Sequence, residues 1–300
     1  MKFTHATKKQ AKLRLAIIGP SGSGKTYTAL TIATGLGGKI AVIDTEHGSA
    51  SKYSDIFDFD TLELSEFAPI TYVEAIGAAA SAGYDVLIID SLSHAWIGKG
   101  GALEQVDNIA KRTQSHNTFT AWRDVTPSHN AMVEAIVQSP CHVIVTMRSK
   151  TEYVMETNEK GKITPRKVGV APIQRDGLEY EFDVVADMTL DNDLIISKTR
   201  CPAMFGKIVN KPTAEFTAPL VKWLTDGEKV TQPAPIEYPA DLLLEKNSQG
   251  IFYTELPTKT LTYMVNEMRG IIAKNGLEPE KKAEYERKID VASKIIELRK

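Results

Sequence analysis

At 300 residues the chain can bury a sizeable core without disulfides or metals, and its length suits one α/β domain with an appendage. Hydrophobic content of 42% and charged content of 25% exclude disordered and fibrous classes, and a net charge of -2 gives no global attraction to nucleic acid, although a local basic groove stays open. Cys141, Cys201 and the six histidines show no disulfide or zinc spacing, which fits reduced thiols in the cytoplasm. The opening MKFTHATKKQAK lacks an apolar signal-peptide core, and no apolar run reaches membrane-spanning length, so no membrane association is expected.

The predicted elements begin with a strand over Leu13–Gly19, followed by Gly19-Pro20-Ser21-Gly22-Ser23-Gly24-Lys25-Thr26 and a helix from Lys25 to about Gly35. Lys39–Asp44 reads as a second buried strand, Asp60–Leu64 as a short third, Ile70–Ala82 as a helix, and Asp85–Asp90 as another buried strand. Pro127–Gln138 reads as a helix with its proline in the first turn, and Cys141–Met147 as one more strand. Apolar strands alternating with helices predict an α/β fold, a mostly parallel sheet flanked by helices. Arg148–Arg175 is polar and aperiodic and reads as a long loop. Tyr180–Leu190 and Leu194–Thr199 flank Asp191-Asn192-Asp193 and read as an added antiparallel hairpin. Leu261, Met264, Val265, Met268, Ile271 and Ile272 follow helical spacing, and Glu278–Lys300 reads as a second amphipathic helix. The expected organisation is an N-terminal arm over 1–12, a core over 13–226, a linker over 227–240 and a small helical C-terminal region over 241–300.

The glycine-rich run has the GxxxxGKT pattern of a phosphate-binding loop. Its glycines let backbone N–H groups curl around phosphate oxygens, and the helix that follows points its positive end at the anion. Lys25 is placed to reach the β- and γ-phosphates, and the Thr26 hydroxyl to ligate magnesium. The motif therefore implies ATP with Mg2+, bound by Gly19 through Thr26 with Tyr27 beside them. A magnesium-side acid belongs at the carboxyl end of a buried strand; Asp90 is the first choice and Asp44 the runner-up. Glu46 lies just past the second strand, and its position leaves it balanced between orienting water and being a solvated loop carboxylate.

IAVIDTEHGSASKY followed by DVLIIDS resembles the core of the RecA-family recombinase ATPases. The resemblance implies that Glu46, in the Glu46-His47 pair, activates water and that Tyr53 stacks on adenine. Ala50 stands where the family has an aspartate near the base, which leaves base selectivity open. CHVIVTMRSK is similar to the family strand that leads into its second DNA-binding loop. Thr146, Met147 and Arg148 stand there in place of the glutamine that senses γ-phosphate. IISKTRCPAMFGK resembles the hairpin whose two basic residues, here Lys198 and Arg200, reach the ATP of a neighbouring subunit; the competing reading is an exposed cationic strand face. The likeness spans roughly Leu13–Lys207 and is nearest to short, core-only RecA-like ATPases of bacteriophages, some of which act with single-stranded DNA in annealing or recombination.

In this reading Arg148, Lys150, Lys160, Lys162, Arg166, Lys167 and Arg175 form a cationic DNA loop, partly offset by acids, with Tyr153 available to stack on a base. Lys99 belongs to a candidate first DNA loop over Ser93–Thr120, where Trp96 has plain core packing as its alternative. Phe3-Thr4-His5-Ala6 resembles the plug by which such recombinases dock onto the next subunit. The expected protein is thus a homo-oligomer, ring or filament, that binds single-stranded DNA, with a single-strand-binding protein as a further partner. The location expected is a bacterial host cytoplasm if phage-encoded. The alternatives are a helicase-type motor or loader and a nucleotide-dependent scaffold with little turnover.

Overall fold

The computed structural model describes residues 5–112, 117–157, 163–228, 239–242, 245–246, 252–256, 258–273 and 278–299, and between 151 and 169 it describes the backbone alone. The chain divides into two compact units, Met1–Val230 and Thr231–Lys300. The first is built on a sheet in the order β3-β2-β4-β5-β1-β7-β8-β9. The strands are β1 (Arg14–Gly19), β2 (Ile40–Asp44), β3 (Asp60–Glu63), β4 (Val86–Asp90), β5 (His142–Thr157), β7 (Val184–Met188), β8 (Asp193–Thr199) and β9 (Ile208–Asn210), with β6 (Ile163–Pro172) pairing only the far part of β5. Strands β3, β2, β4, β5, β1 and β7 run parallel, and β8 pairs antiparallel with both β7 and β9. This is a mostly parallel α/β sheet flanked by helices.

Alternation along the strands sorts side chains to two faces. Leu15 and Ile17 of β1 join Ala29, Leu30 and Ile32 of α1 (Lys25–Leu36) and Leu220 of α6 (Ala218–Thr225) on one side. Ala16 and Ile18 join Tyr72 and Ile76 of α2 (Pro69–Ser81) and Met132 and Ile136 of α5 (Thr118–Gln138) on the other. Each fully buried Leu or Ile contributes about 1.5–3 kcal/mol of transfer free energy, so the two apolar layers hold the strand ends in fixed register.

Three expectations are corrected here. Arg148–Arg175 is not a loop: β5 continues to Thr157 and turns back as β6, in an antiparallel ribbon that projects from the parallel sheet. Polar residues fall at both parities of this ribbon, so no period-2 hydrophobic signal marks it. The helix expected from Pro127 starts at Thr118, where the Asn117 side chain accepts the Phe119 N–H at 2.9 Å. Proline inside a helix costs a backbone hydrogen bond. Here Ala121, Val125, His129, Met132 and Ile136 are buried along one stripe, and that packing holds the helix through the interruption. The Ser93–Thr120 segment likewise contains α3 (His94–Ile97) and α4 (Ala102–Arg112), and Trp96 stacks on Trp122 with ring centroids 5.2 Å apart.

In the second unit, α7 (Thr258–Ile272) and α8 (Pro279–Leu298) share a core of Leu261, Val265, Val291, Ala292 and Ile295. Among the described residues no helix is long and apolar enough to cross a membrane.

A buried arginine and a half-buried histidine close the amino edge of the sheet. Arg14 is 7% exposed and donates to the carbonyls of Leu13, Val137, Ser139 and Cys141, which satisfies the C-terminal end of α5. His142 Nδ1 accepts the Leu13 N–H at 3.0 Å. Burial, helped by Lys12 and Arg14, lowers the His142 pKa from 6.5 to about 4. Between those values the unfolded chain binds a proton that the folded chain refuses, so stability is full above pH 6.5 and falls as pH drops toward 4. Urea midpoints measured across this window should decline for the wild type, by at most about 1.4 kcal/mol per pH unit from this group. His142→Asn keeps an acceptor for Leu13 and should flatten the decline; equal slopes for the two proteins would refute the assignment.

Candidate functional site

The site lies at the carboxyl edge of the parallel strands. β1 ends at Gly19, where a Cβ would sit 2.8 Å from Ser23 Oγ and 2.9 Å from Met188 O, so only glycine fits. The loop that follows turns through Gly22 and Gly24 with φ of 80° and 82°, the left-handed region that glycine enters without strain. Pro20 O accepts the Ser23 hydroxyl at 2.9 Å and Lys25 Nζ at 2.8 Å, and Asn192 Nδ2 donates to Ser23 O at 3.0 Å. Helix α1 starts at Lys25, so its N-terminal N–H groups and its positive dipole end face the loop. Burial lowers the pKa of Lys25, while Asp90 and Glu46 act to raise it.

Parallel pairing sets Asp44 of β2 directly beside Asp90 of β4, yet the two carboxylates do different things. Asp44 accepts the backbone N–H of Glu46 at 2.6 Å and of Ala50 at 3.1 Å, and so closes the turn after β2. Asp90 is 2% exposed and takes hydroxyl donors instead: Thr26 at 2.5 Å and Thr146 of β5. Burial pushes the Asp90 carboxyl above its usual range, against the effect of those two hydrogen bonds.

Glu46 stands across the cleft. Its Oε1 accepts Ser91 Oγ at 3.2 Å and Arg148 Nε at 3.1 Å, and its Oε2 accepts Arg148 Nη2 at 2.5 Å. Burial acts to raise the Glu46 pKa, but hydrogen bonding and charge from Arg148, with help from His94 and Ser91, hold it below the usual carboxylate range. Ser21, Gly22, Lys25, Thr26, Glu46, Asp90 and Arg148 line one cavity of about 410 Å3.

Gly24 and Tyr53 border this cavity and also a second one of about 630 Å3. Tyr27, Tyr53 and Phe57 form the aromatic wall of the second cavity, with Tyr27 edge-on to both partners at centroid distances of 5.6 and 5.2 Å. Asn192, Lys211, Pro212 and Thr213 face them. A polar, cationic cleft running into an aromatic one has the layout of a nucleotide site. The sequence motifs pointed to Tyr27 and Tyr53 but missed Asn192 and the 211–213 wall, which the fold brings in from far along the chain. Asn192 carries a signal of its own, a φ of 65° at the β7–β8 turn.

Thr26 and Asp90 offer oxygen donors of the kind magnesium takes when phosphate oxygens and water complete its shell. Among the described residues no group of three His, Cys, Asp or Glu side chains could hold a metal ion unaided. The donor set fits a cation that arrives with the triphosphate, with Thr26 and Asp90 as its protein side.

The remaining expected residues lie elsewhere. Lys198 Nζ donates to the carbonyls of Glu179, Tyr180 and Phe182 at 2.9, 2.9 and 2.7 Å, and Arg200 pairs with Asp183 at 3.0 Å, so both cations are engaged within their own chain. Lys99 pairs with Glu66 at 3.3 Å on the surface. Lys150 is exposed on β5, and Arg166 and Lys167 lie on β6 opposite Val154 and Tyr153. Arg175 lines a separate cavity of about 460 Å3 with His129 and Asn130. Phe3, Thr4, Lys160 and Lys162 lie outside the described residues.

The sequence profile of the AAA domain family matches residues 11–211. The chain belongs to that family and carries an AAA-type ATPase domain. No curated protein matches it in sequence. Thirty-six solved chains match it. One is described as "Structural and biochemical analysis of a prototypical ATPase from the type III secretion system of pathogenic bacteria"; it shares 11% identity and a TM-score of 0.31 over 95% of this chain and 80% of that one.

Because its pKa is raised, an ionised Asp90 costs stability at neutral pH in the ligand-free protein. Asp90→Asn keeps an acceptor for one threonine, offers the other an amide N–H that its hydroxyl oxygen can accept, and removes that cost. Its melting temperature without ligand should equal or exceed that of the wild type, while the rise caused by ATP and magnesium should vanish. A variant that melts lower and still responds to the ligand would contradict this assignment.

Proposed function

We propose that the protein is a magnesium-dependent ATPase of RecA-like type that assembles into homo-oligomers and acts on single-stranded DNA in annealing or recombination, like the short bacteriophage ATPases its motifs resemble. The observation that carries this reading is the single cavity in which the phosphate loop, the Thr26–Asp90 pair and Glu46 meet. Loop N–H groups and Lys25 bind the phosphates. Thr26 and Asp90 would hold the magnesium ion, which would neutralise charge on the phosphates. Glu46 accepts a hydrogen bond from the attacking water and aims its oxygen at the γ-phosphorus. The new P–O bond forms as the bond to the β–γ bridging oxygen breaks, ADP leaves, and the water proton passes to the phosphate product. Tyr53, Tyr27 and the 211–213 segment hold the base.

The β5–β6 ribbon supports the DNA assignment. It grows from the strand whose base carries Arg148, and Lys150, Arg166 and Lys167 give it a cationic sequence suited to a phosphate backbone. Lys198 and Arg200 are the groups proposed to reach a neighbour's ATP, and a single-strand-binding protein is a further proposed partner.

Glu46→Gln should reduce phosphate release by a factor on the order of 10²–10³ with nucleotide binding retained. Single-stranded DNA should accelerate hydrolysis by the wild type and increase particle size; a motor would in addition unwind duplexes. Replacing Arg166 and Lys167 together by alanine should weaken DNA binding and lower the slope of log K against log salt by about two, with ATP binding intact. Full affinity with an unchanged slope would remove the ribbon from the DNA site.

A further inference from the structure

His94 does not line the phosphate cavity, yet it is tied to the turn that carries Glu46. Its Nδ1 sits 2.7 Å from the hydroxyl of Thr45, the buried residue immediately before Glu46. The same hydroxyl meets both backbone polar groups of Ser91: it accepts the Ser91 N–H at 2.7 Å and donates to the Ser91 carbonyl at 3.1 Å. Tyr72 also donates to that carbonyl, at 3.4 Å. The Thr45 N–H donates to the Asp90 carbonyl at 2.8 Å. Thr45 thus staples the end of β2 to the end of β4. The Ser91 hydroxyl closes the circuit by donating to Glu46 Oε1 at 3.2 Å.

The proton count on Thr45 sets the role of His94. A hydroxyl has one proton to give and two lone pairs to offer. With its proton on the Ser91 carbonyl and one lone pair on the Ser91 N–H, Thr45 has only a lone pair left for the ring. All three contacts are hydrogen bonds when His94 Nδ1 carries a proton and donates it. The ring is held from its face as well. It stacks on the buried Phe67 with centroids 5.0 Å apart and planes 27° from parallel, and the Phe67 N–H donates to Lys99 O at 2.9 Å. Gly98 leaves room for Phe67, since a Cβ there would lie 2.6 Å from its ring. The donor is therefore pre-aimed at Thr45, and little rotamer freedom remains to be lost when the site is used.

We propose that His94 is a positioning residue for Glu46: through the Thr45 hydroxyl it fixes the turn after β2 and the Ser91 hydroxyl, and so sets the angle at which the Glu46 carboxylate meets water. The proposal rests on the ATPase reading above and adds a residue to it. His94 acts through Thr45 and Ser91 and makes no contact with the phosphates in this role. Ser91 brings Glu46 a donor from a backbone held at both its N–H and its carbonyl, so the direction of that hydrogen bond is determined by Thr45. Without the Nδ1 donor, Thr45 keeps an unused lone pair in a buried place and its hydroxyl is free to rotate away from Ser91. Lys25, Thr26 and Asp90 have no hydrogen bond to His94, so phosphate and cation binding should not depend on it.

The test follows steady-state hydrolysis of ATP by the full chain, together with its affinity for a fluorescent ATP analogue. Asparagine places an amide where Nδ1 stands, whereas glutamine reaches the place of Nε2, so only asparagine offers Thr45 a donor. His94→Ala and His94→Gln should lower kcat roughly tenfold, the worth of about one hydrogen bond to a positioned group, with KM and analogue affinity unchanged. His94→Asn should recover most of that loss. In a Glu46→Gln background His94→Ala should cause no further loss, because the group it positions is gone. Wild-type kcat in His94→Ala, asparagine no better than glutamine, or an equal loss in both backgrounds overturns the proposal and leaves the ATPase reading intact. Loss of analogue binding in His94→Ala also overturns it, since His94 would then support the whole site and not Glu46 in particular. A wild-type protein that binds ATP but never hydrolyses it overturns the ATPase reading, and the role of His94 with it.

Discussion

Every group in the cleft hangs on one constraint, the in-register parallel pairing of β2, β4, β5 and β1. Asp44 sits beside Asp90, Ile89 beside Val145, and Ile18 beside Met147, so all four strands reach the same edge in step, where β5 alone runs on into the ribbon. A parallel sheet with both faces covered needs strands that are apolar along their length, and polar residues appear where the strand leaves that cover. The chain obeys this rule: at that edge the first polar residues of the buried strands are Asp44, Asp90 and Thr146, and Arg148 follows the buried Met147. The segments that follow must turn into the same space. The chemistry is concentrated there because the packing permits it nowhere else along the strands.

The two aspartates show how position within that edge decides use. Asp44 meets N–H groups of its own turn and becomes a structural acceptor. Asp90 meets the hydroxyls of Thr26 and Thr146, groups that can rotate and also accept. A buried carboxylate held only by hydroxyls is poorly compensated, and its raised pKa reports that. A divalent cation relieves the same deficit. In the proposed reading the fold keeps a destabilised charge where a bound cation would offset it, a common trade between stability and function.

The legible parts of the sequence were those with local causes. The phosphate loop was readable because its glycines answer backbone demands within eight contiguous residues, and the apolar strands because a fully buried strand needs an unbroken apolar run. Asp90 and Glu46 were readable as strand-end residues, but position alone could not separate Asp44 from Asp90; the turn that Asp44 closes is a matter of three-dimensional hydrogen bonding. The β5–β6 ribbon escaped because one strand of it continues a core strand and neither carries a hydrophobic period. The start of α5 escaped because Pro127 argued for a boundary that tertiary packing overrode. Of the far wall of the second cavity, the sequence marked Asn192 only as a hairpin turn and Lys211–Thr213 not at all.

The two cations of the β8 strand differ in how freely they can move, and that difference bears on which of them could serve a neighbour. Lys198 donates to three carbonyls of one short turn, which uses all three of its N–H groups. To reach outward it must give up three charge-assisted bonds at once. Arg200 holds one carboxylate and one carbonyl, from a side chain 55% exposed, and keeps donors to spare. If a neighbour's phosphate recruits this hairpin, Arg200 moves first and Lys198 serves best as the anchor that fixes the strand beneath it. Arg148 lines the phosphate-loop cavity of its own chain at the root of the ribbon, and in the proposed oligomer Arg200 is the cation left to meet a neighbour.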